Sequence, residues 1–204
     1  MRCPRPRHLL FALAILCSSG GAWAETYLHD SEFHFRAGLL SANFSTGQQN
    51  LNGQFTVPNA LDFEYEIFSG TRSSFIIRSI LAYETGSARL RYGYTGVGRR
   101  LYLFSNGAGF EATEGGSRIV LTPRWRYYLG GDLGVSQAVI TEVGPVLDGD
   151  TAMFDFNVNV GTVYQINRSL GLELQVGYGL GYGFSSIPVT AYTLRAVVGA
   201  SYFF

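Results

Sequence analysis

Apolar and polar residues alternate with a period of two along most of this chain, most strictly between Ser169 and Phe184. The apolar residues of that segment are Leu170, Leu172, Leu174, Val176, Tyr178, Leu180, Tyr182 and Phe184. Glycine fills most of the positions between them. Because successive side chains of a strand point to opposite faces, the pattern predicts a β-strand with one apolar face. About 9–11 tilted residues cross a bilayer as a strand, and this segment is longer.

The same alternation recurs over most of the chain and predicts an all-β protein. Clear strands are predicted near residues 33–39, 61–67, 75–83, 90–94, 119–127, 154–166, 170–184 and 192–204. A weak strand at 50–57 would end at the turn-like Pro58-Asn59. A further strand at 132–143, after a turn at Gly130-Gly131, is ambiguous because neither of its faces is cleanly apolar. After the first 24 residues we find no segment with the 3.6-residue period of a helix.

The apolar face of such a sheet can point into a soluble core or toward lipid, and three features favour lipid. In the last three strands Asp155, Glu173 and Arg195 all lie on the polar face, whereas a lipid-facing arginine near the midplane would cost about 2–4 kcal/mol. The polar face is rich in glycine, and the chain has no lysine. Aromatic residues fall near strand ends, as in interfacial girdles. We therefore predict a closed antiparallel up-and-down transmembrane β-barrel, with a soluble lipocalin-like barrel or sandwich as the alternative.

The strand count follows from parity. Bacterial barrels have even numbers of strands, and nine good-to-fair strands plus the weak one at 50–57 give ten. Eight is the alternative, in which one N-terminal segment would be an extension. In the ten-stranded scheme both termini are periplasmic, residues 69–73 and 105–116 are external loops, and residues 86–87 are an internal turn.

The first 24 residues have the features of a secretory signal peptide, which leaves residues 25–204 as the barrel domain. Arginines precede a short apolar segment, and Ala22-Trp23-Ala24 fits a cleavage site. A lipoprotein attached through Cys17 is disfavoured, because Leu16 stands where a small residue is expected.

Cleavage would remove both cysteines, so no disulfide or thiolate site is expected. Twelve arginines would then face fifteen acidic residues, which does not favour nucleic acid as a partner.

The polar face supplies candidates for the interior of the barrel. Eight-stranded lumens are filled by side chains, so a ten-stranded one should be nearly filled. The charged candidates are Glu64, Glu66, Arg78, Arg89, Arg91, Arg124, Arg126, Asp155, Glu173 and Arg195. Four acids and six arginines favour a paired network, because arginine forks match carboxylates. A narrow polar path or a ligand pocket is the alternative. The glycines Gly177, Gly179, Gly181 and Gly183 are expected to relieve crowding, to allow curvature or to admit a large neighbour.

We find no residue set that predicts catalysis, a metal site or a cofactor. His29 and His34 are the two histidines beyond the predicted signal peptide, and Asp30 and Ser31 lie between them. Adjacent strand residues point to opposite faces, so this segment is expected to be a polar stretch before the first strand. Two histidines with nearby carboxylates are too weak a metal pattern without a third ligand. Asp148-Gly149-Asp150 lacks the rest of a calcium loop.

The last five residues, Ala200-Ser201-Tyr202-Phe203-Phe204, resemble the carboxy-terminal signature of bacterial outer-membrane β-barrels. Ala200, Tyr202 and Phe204 take its alternate positions, and Val198 and Ala196 extend it. With the signal peptide and the strand pattern, the chain resembles the small barrels of OmpA-barrel, OmpX and OmpW type from Gram-negative bacteria. The resemblance implies an outer-membrane location among phospholipid and lipopolysaccharide, and recognition of the last strand by the barrel assembly machinery.

Three functions stay open from the sequence. The first is a non-enzymatic barrel with a structural or interaction role and a largely filled polar lumen, favoured by the paired polar face and short loops. The second is a narrow, porin-like pore or transporter for small solutes, favoured by the inward arginines, glycines and acids. The third is a lipid-modifying outer-membrane enzyme that would use His29 or His34. We take the first as the prediction.

Overall fold

The computed structural model describes residues 31–46, 53–84, 89–114, 117–121, 123–141, 149–184 and 188–204. The predicted signal peptide, His29 and Asp148 lie outside these residues. Within them, no helix is long and apolar enough to cross a membrane.

Eight strands close into one antiparallel barrel. In chain order the strands are β1 (Ser31–Thr46), β2 (Gly53–Gly70), β3 (Ser73–Tyr83), β4 (Arg89–Leu103), β5 (Phe110–Glu114), β6 (Ser117–Leu121), β7 (Trp125–Thr141), β8 (Gly149–Gln165), β9 (Leu170–Phe184) and β10 (Pro188–Phe203). The barrel order is β1-β10-β9-β8-β7-β4-β3-β2, and β2 pairs with β1 to close it. β5 and β6 form a separate hairpin between β4 and β7. The predicted all-β closed antiparallel barrel is therefore confirmed.

The predicted count of ten barrel strands is wrong, and the alternative of eight is right. The segments 50–57 and 61–67 belong largely to one strand, β2, and Pro58-Asn59 lies inside it rather than at a turn. The pairing register between β1 and β2 shifts at this point, so Pro58-Asn59 forms a β-bulge opposite Leu39. Proline lacks an amide hydrogen for the ladder, and a bulge is one of the places where a sheet tolerates it.

The second miscounted region covers residues 117–141. Ser117–Leu121 belongs to the hairpin, and Trp125–Thr141 runs unbroken as β7 through the turn predicted at Gly130-Gly131. Both glycines are paired with β4 on one side and with β8 on the other. Glycine permits a turn without requiring one, and here the pairing on both sides holds the backbone extended.

The two ends of the barrel differ in what they connect. We call the end at which β1 begins and β10 ends the terminal end, where Glu32 pairs with Phe203, and the opposite end the loop end. Residues 71–72 join β2 to β3 at the terminal end, where β4 also ends and β7 begins, whereas β3 ends and β4 begins at the loop end. The ten-stranded scheme placed 69–73 and the segment after β4 at the end opposite the termini, and this is wrong because β2 takes the place of two expected strands. Residues 86–87 and 115–116 lie outside the described residues.

Large apolar side chains cover the outside of the barrel, and charged side chains lie inside. Phe154, Val176 and Val198 point outward and are 62%, 43% and 62% exposed. Asp155, Glu173 and Arg195 alternate with residues of this kind, point inward and are at most 5% exposed. The predicted polarity of the sheet is therefore confirmed for β8, β9 and β10.

In β4 the prediction of the inward face is wrong. Leu90, Tyr92 and Tyr94 point into the lumen and are at most 3% exposed, whereas Arg91 is exposed on the outer face. The guanidinium carbon of Arg91 lies 5.4 Å from the centroid of the Tyr83 ring, at the end of β3. An arginine this close to the end of a strand can place its charge at the membrane surface, so it does not need a position in the lumen.

β4 continues through Gly96-Val97-Gly98 without a bulge. The register between β3 and β4 runs without a shift from one end of β3 to the other. Arg100 therefore shares the inward face with Tyr92 and Tyr94, and it is fully buried.

Candidate functional site

Among the described residues, thirteen acidic or basic side chains are buried inside the barrel, and we call them the lumen network. Its seven carboxylates, five arginines and one histidine are Glu32, Asp62, Glu64, Glu66, Asp132, Asp155, Glu173, Arg36, Arg78, Arg100, Arg126, Arg195 and His34. Each is at most 5% exposed. The period of two places alternate residues of each strand on the same face, so a few residues from each of several strands meet on the barrel axis.

Glu64 lies at the centre of the lumen network. One of its oxygens accepts a hydrogen bond from Arg100, and the other accepts one from Arg78. Arg36 Nη2 lies 3.2 Å from that second oxygen, while its Nη1 donates to Glu173 Oε1 at 2.7 Å. Opposite charges and hydrogen bonds thus replace the hydration that these ions lose inside the barrel.

His34 bridges two carboxylates that come from different strands. Its Nδ1 lies 2.7 Å from Glu173 Oε2, and its Nε2 lies 2.9 Å from Glu66 Oε2. An ionised carboxylate only accepts hydrogen bonds, so both ring nitrogens must donate, which requires the positively charged imidazolium. Arg100 Nη1 donates to the same Glu66 oxygen at 2.7 Å. The lumen network then holds seven negative and six positive charges, which nearly balance.

Toward the terminal end, Arg126 and Glu32 form a bidentate pair. Arg126 Nη1 and Nη2 each donate to one Glu32 oxygen at 2.7 Å. Nη1 also donates to the Gly107 carbonyl at 3.1 Å, and Nη2 donates to Gln165 Oε1 at 3.2 Å. Two parallel bonds fix the orientation of both side chains, which anchors this layer of the lumen.

Toward the loop end, neutral side chains join the network through Asp132. Arg78 Nη1 donates to Asp132 Oδ2 at 2.8 Å, and Tyr94 donates to the other oxygen. Asn157 and Asn159 also donate to this carboxylate, at 3.0 and 3.2 Å. The hydroxyl of a tyrosine can thus satisfy a buried carboxylate, which is why Tyr94 occupies the lumen rather than the outer face.

One part of the lumen network has the composition of a metal site. The ligand atoms of Glu32, His34 and Glu66 all lie within 4.8 Å of one another, and all three residues are buried. However, Arg126 already binds both oxygens of Glu32, and Arg100 already binds Glu66. The positive charge that a metal would supply is provided there by arginine, so the donor set fits an ion-pair network better than a cation site.

Apolar clusters lie on either side of the lumen network. The loop-end cluster consists of Leu40, Ala42, Phe44, Phe55, Val57, Ala60, Ile80, Ala82, Leu90, Tyr92, Tyr94, Ala138, Met153 and Ala191. The terminal-end cluster consists of Phe68, Tyr102, Ala108, Tyr128, Val163 and Phe203. All these side chains are at most 8% exposed. The charges are therefore separated from both mouths by packed apolar side chains.

Residues 104–109 complete the closure of the terminal end, and we call them the strap. Phe104 adopts a positive φ of 64°, which turns the chain away from β4. The Gly107 amide donates to the Thr71 carbonyl at 2.7 Å, and Ala108 is 1% exposed within the terminal-end cluster. A side chain at Gly107 would overlap the Tyr102 ring. The absence of a side chain there lets the strap lie directly against the lumen aromatics.

The inward glycines of β9 make room for side chains of its two neighbours. A Cβ at Gly177 would lie 3.0 Å from Arg195 Nη2, and one at Gly179 would overlap the Asn157 and Thr193 side chains. The prediction that these glycines admit large neighbours is confirmed. The side chain of Arg195 on β10 therefore occupies space that a side chain at Gly177 on β9 would otherwise take.

Seven of the ten predicted lumen residues are buried in the lumen network: Glu64, Glu66, Arg78, Arg126, Asp155, Glu173 and Arg195. Arg91 and Arg124 are exposed outside it, and the side chain of Arg89 lies outside the described part of the chain. Arg124 precedes the first residue of β7, and its Nη2 donates to the Tyr164 hydroxyl at 2.7 Å. The alternation of residues 119–127 does not apply to it, because Pro123 and Arg124 separate two different strands.

Six members of the lumen network are absent from the predicted set: Glu32, His34, Arg36, Asp62, Arg100 and Asp132. The sequence pattern could have identified Glu32, His34 and Arg36. These residues alternate with apolar residues that were predicted to face lipid, namely Phe33, Phe35 and Ala37. The expectation that His34 lies before the first strand is wrong. Asp62 likewise shares its face with Glu64, whereas Asp132 lies in the region without a clear apolar face.

The residues of the carboxy-terminal signature lie on the outer face of β10 or just beyond it. Tyr202 and Phe204 are 49% and 64% exposed, and their ring centroids are 5.3 Å apart. Phe203 points the other way into the terminal-end cluster. The role of Ala200, Tyr202 and Phe204 in assembly stays a prediction.

Several solved structures are similar to this chain. Neisserial surface protein A is 15% identical, with 84% of this chain and 97% of that chain aligned at a TM-score of 0.53. The N-terminal β-barrel domain of Pseudomonas aeruginosa OprF is 11% identical over 86% of this chain and 98% of that chain, with a TM-score of 0.48. The outer-membrane protease OmpT of Escherichia coli is 8% identical over 90% and 99%, with a TM-score of 0.49.

The chain thus has the fold of the small eight-stranded outer-membrane β-barrels, as the sequence resemblance implied. At such low identity this likeness shows the fold alone. No family model matches the chain, and no curated protein matches its sequence.

Proposed function

We propose that this protein is an integral β-barrel of the bacterial outer membrane with a filled, non-conducting lumen and a structural or interaction role. The membrane location is supported by the apolar outer surface and by the fold shared with neisserial surface protein A. Residues 1–24 would direct export as a cleaved signal peptide. In this proposal both termini are periplasmic, and the terminal end faces the periplasm.

The observation that carries the proposal is the burial of the lumen network between two apolar clusters. Thirteen acidic and basic side chains are at most 5% exposed, and the strap lies beneath them. A path for ions would need water alongside these groups. Cross-lumen bonds such as Arg36 Nη1 to Glu173 Oε1, at 2.7 Å, instead fill the axis with side chains.

The direct test is planar-bilayer recording of the refolded mature protein. We expect no reproducible conductance steps, because the lumen is filled. Stable channels of defined conductance would contradict the closed lumen and support the narrow pore instead.

A second test uses the absence of cysteine beyond residue 24. Ser136→Cys places a thiol at a lumen position that is 4% exposed, and Gln54→Cys places one on an exposed position near the loop end of β2. In proteoliposomes, a membrane-impermeant thiol reagent should label the second variant much faster than the first. Equal labelling rates would mean that water and reagent enter the lumen.

A further inference from the structure

The outward face of β4 carries Arg99 on a surface that is otherwise built for hydrocarbon. Arg99 lies between the outward residues Val97 and Leu101, four positions before the end of β4. It pairs with Phe75 of β3 on one side, and its guanidinium carbon lies 5.0 Å from the centroid of that ring. A charged side chain on the lipid-facing surface is costly near the midplane and much less so near an interface, so the depth of Arg99 decides what its guanidinium can contact.

Beside Arg99, the outer surface has a groove of about 490 Å³. Its apolar walls are Ile67, Phe75, Ile77, Val97, Leu133 and Phe156. The groove exists because Gly131, the residue that pairs with Arg99 across β7, has no side chain. A Cβ at Gly131 would meet only the Asn157 carbonyl oxygen, at 3.7 Å, so the space above this glycine is open.

The position of the groove places Arg99 near the headgroups at the terminal end. Phe75 is two residues from the start of β3, where the chain turns at residues 71–72. An arginine at this depth can extend its guanidinium toward the membrane surface while its stem lies along apolar side chains. The site therefore combines a cation near the interface with an apolar groove that begins beside it.

A second groove, of about 380 Å³, lies over Gly93 nearer the loop end. Its lining includes Asn59, Gln137 and Arg91. An acyl chain in that groove would meet two amide side chains, whereas the groove over Gly131 presents apolar walls. Of these two grooves, the one over Gly131 therefore suits an acyl chain better, and the one over Gly93 serves as a matched control.

We propose that the Gly131 groove binds a glycerophospholipid of the terminal-end leaflet, with one acyl chain in the groove and the phosphate accepting hydrogen bonds from Arg99. The volume lies within the range of about 300–1,000 Å³ typical of small-molecule sites. Guanidinium and phosphate form strong charge-assisted hydrogen bonds. The inference rests on the membrane placement proposed above, but it does not depend on whether the lumen conducts.

Native mass spectrometry of the detergent-solubilised barrel, titrated with phosphatidylglycerol, tests the proposal. The wild-type protein should retain one lipid more tightly than any further ones. Arg99→Gln should weaken that first binding step about tenfold, the size expected for losing a charge-assisted hydrogen bond. Gly131→Leu should weaken it at least as much by filling the groove.

Arg91→Gln and Gly93→Leu are the controls, because they make the same changes at the other groove. Neither should alter the first binding step, and all four variants should keep heat-modifiable gel migration. Unchanged lipid binding in Arg99→Gln and Gly131→Leu would overturn the proposal while leaving the closed barrel intact. A dimer that Gly131→Leu abolishes, without any change in lipid binding, would overturn it in favour of a contact between two copies of this chain.

Discussion

Strand β9 and the first part of β4 both alternate between two kinds of residue, yet they place opposite kinds of side chain in the lumen. In β9 the large residues, such as Leu174 and Tyr178, face outward, and glycines face inward. In β4 the tyrosines Tyr92 and Tyr94 face inward, and Arg91 faces outward. Alternation therefore determines which residues share a face. The partners across the lumen determine which of the two faces points inward.

Those partners are visible for both strands. Tyr92 donates to Asp155 Oδ2 at 2.8 Å, so an inward tyrosine satisfies a carboxylate of β8. In β9 the inward positions must be small, because Arg195 of β10 and Asn157 of β8 occupy the space in front of them. A tyrosine is thus ambiguous in a membrane strand: its ring suits a lipid interface, and its hydroxyl suits a polar lumen.

The largest expected effect comes from changing arginine to methionine on the two faces of β4. Arg100→Met leaves Glu64 and Glu66 without a principal partner, and removing one member of a buried ion pair costs about 3–5 kcal/mol. Arg91→Met, on the outer face, should change stability by less than about 1 kcal/mol. Urea unfolding of the barrel in lipid vesicles, followed by the fluorescence of Trp125, measures both. Equal losses of stability in the two variants would support the orientation that the sequence predicted for β4, in which Arg91 faces the lumen.

A smaller effect is expected from adding a side chain to glycine in the two strands. Gly179→Val in β9 would force a Cβ into the Asn157 and Thr193 side chains, and overpacking of this kind costs about 1–3 kcal/mol. Gly93→Val in β4 points outward, where the nearest atom to a new Cβ is Leu81 Cδ2 at 4.0 Å. The second variant should unfold at the urea concentration of the wild-type protein. Destabilisation of both variants to the same extent would refute the idea that the β9 glycines accommodate lumen side chains.

The smallest effect is expected from removing a single hydroxyl. Tyr92→Phe deletes the donor to Asp155, and losing a hydrogen bond to a charged group costs about 1.5 kcal/mol. Tyr178→Phe changes an outward residue of β9 that is 51% exposed and should leave stability within about 0.5 kcal/mol of the wild type. The same unfolding assay applies. A larger loss for Tyr178→Phe would mean that the outer hydroxyls matter more than the lumen network.

The sequence predicted the class of fold, the apolar exterior and most of the lumen network, because the cost of exposing charge to lipid leaves a clear period-2 pattern. It did not predict the strand count. Pro58-Asn59 and Gly130-Gly131 are turn signals in isolation, but each lies inside a long strand. Pro58-Asn59 forms a bulge between the paired residues Val57 and Ala60, whereas Gly130-Gly131 is paired with strands on both sides. The face of β4 could not be inferred from its own residues, since it depends on carboxylates of β7 and β8.

The pairing of β1 with β10 has a consequence for biogenesis. His34 and Arg36 on the first strand find Glu173 only after the ninth strand has been made, and Glu32 meets Phe203 at the last pairing of the seam. A partly translocated chain that entered the bilayer strand by strand would present unmatched ions to hydrocarbon. The full set of partners of these first-strand ions is therefore in place only when the seam between β1 and β10 has closed, which favours insertion that accompanies or follows closure.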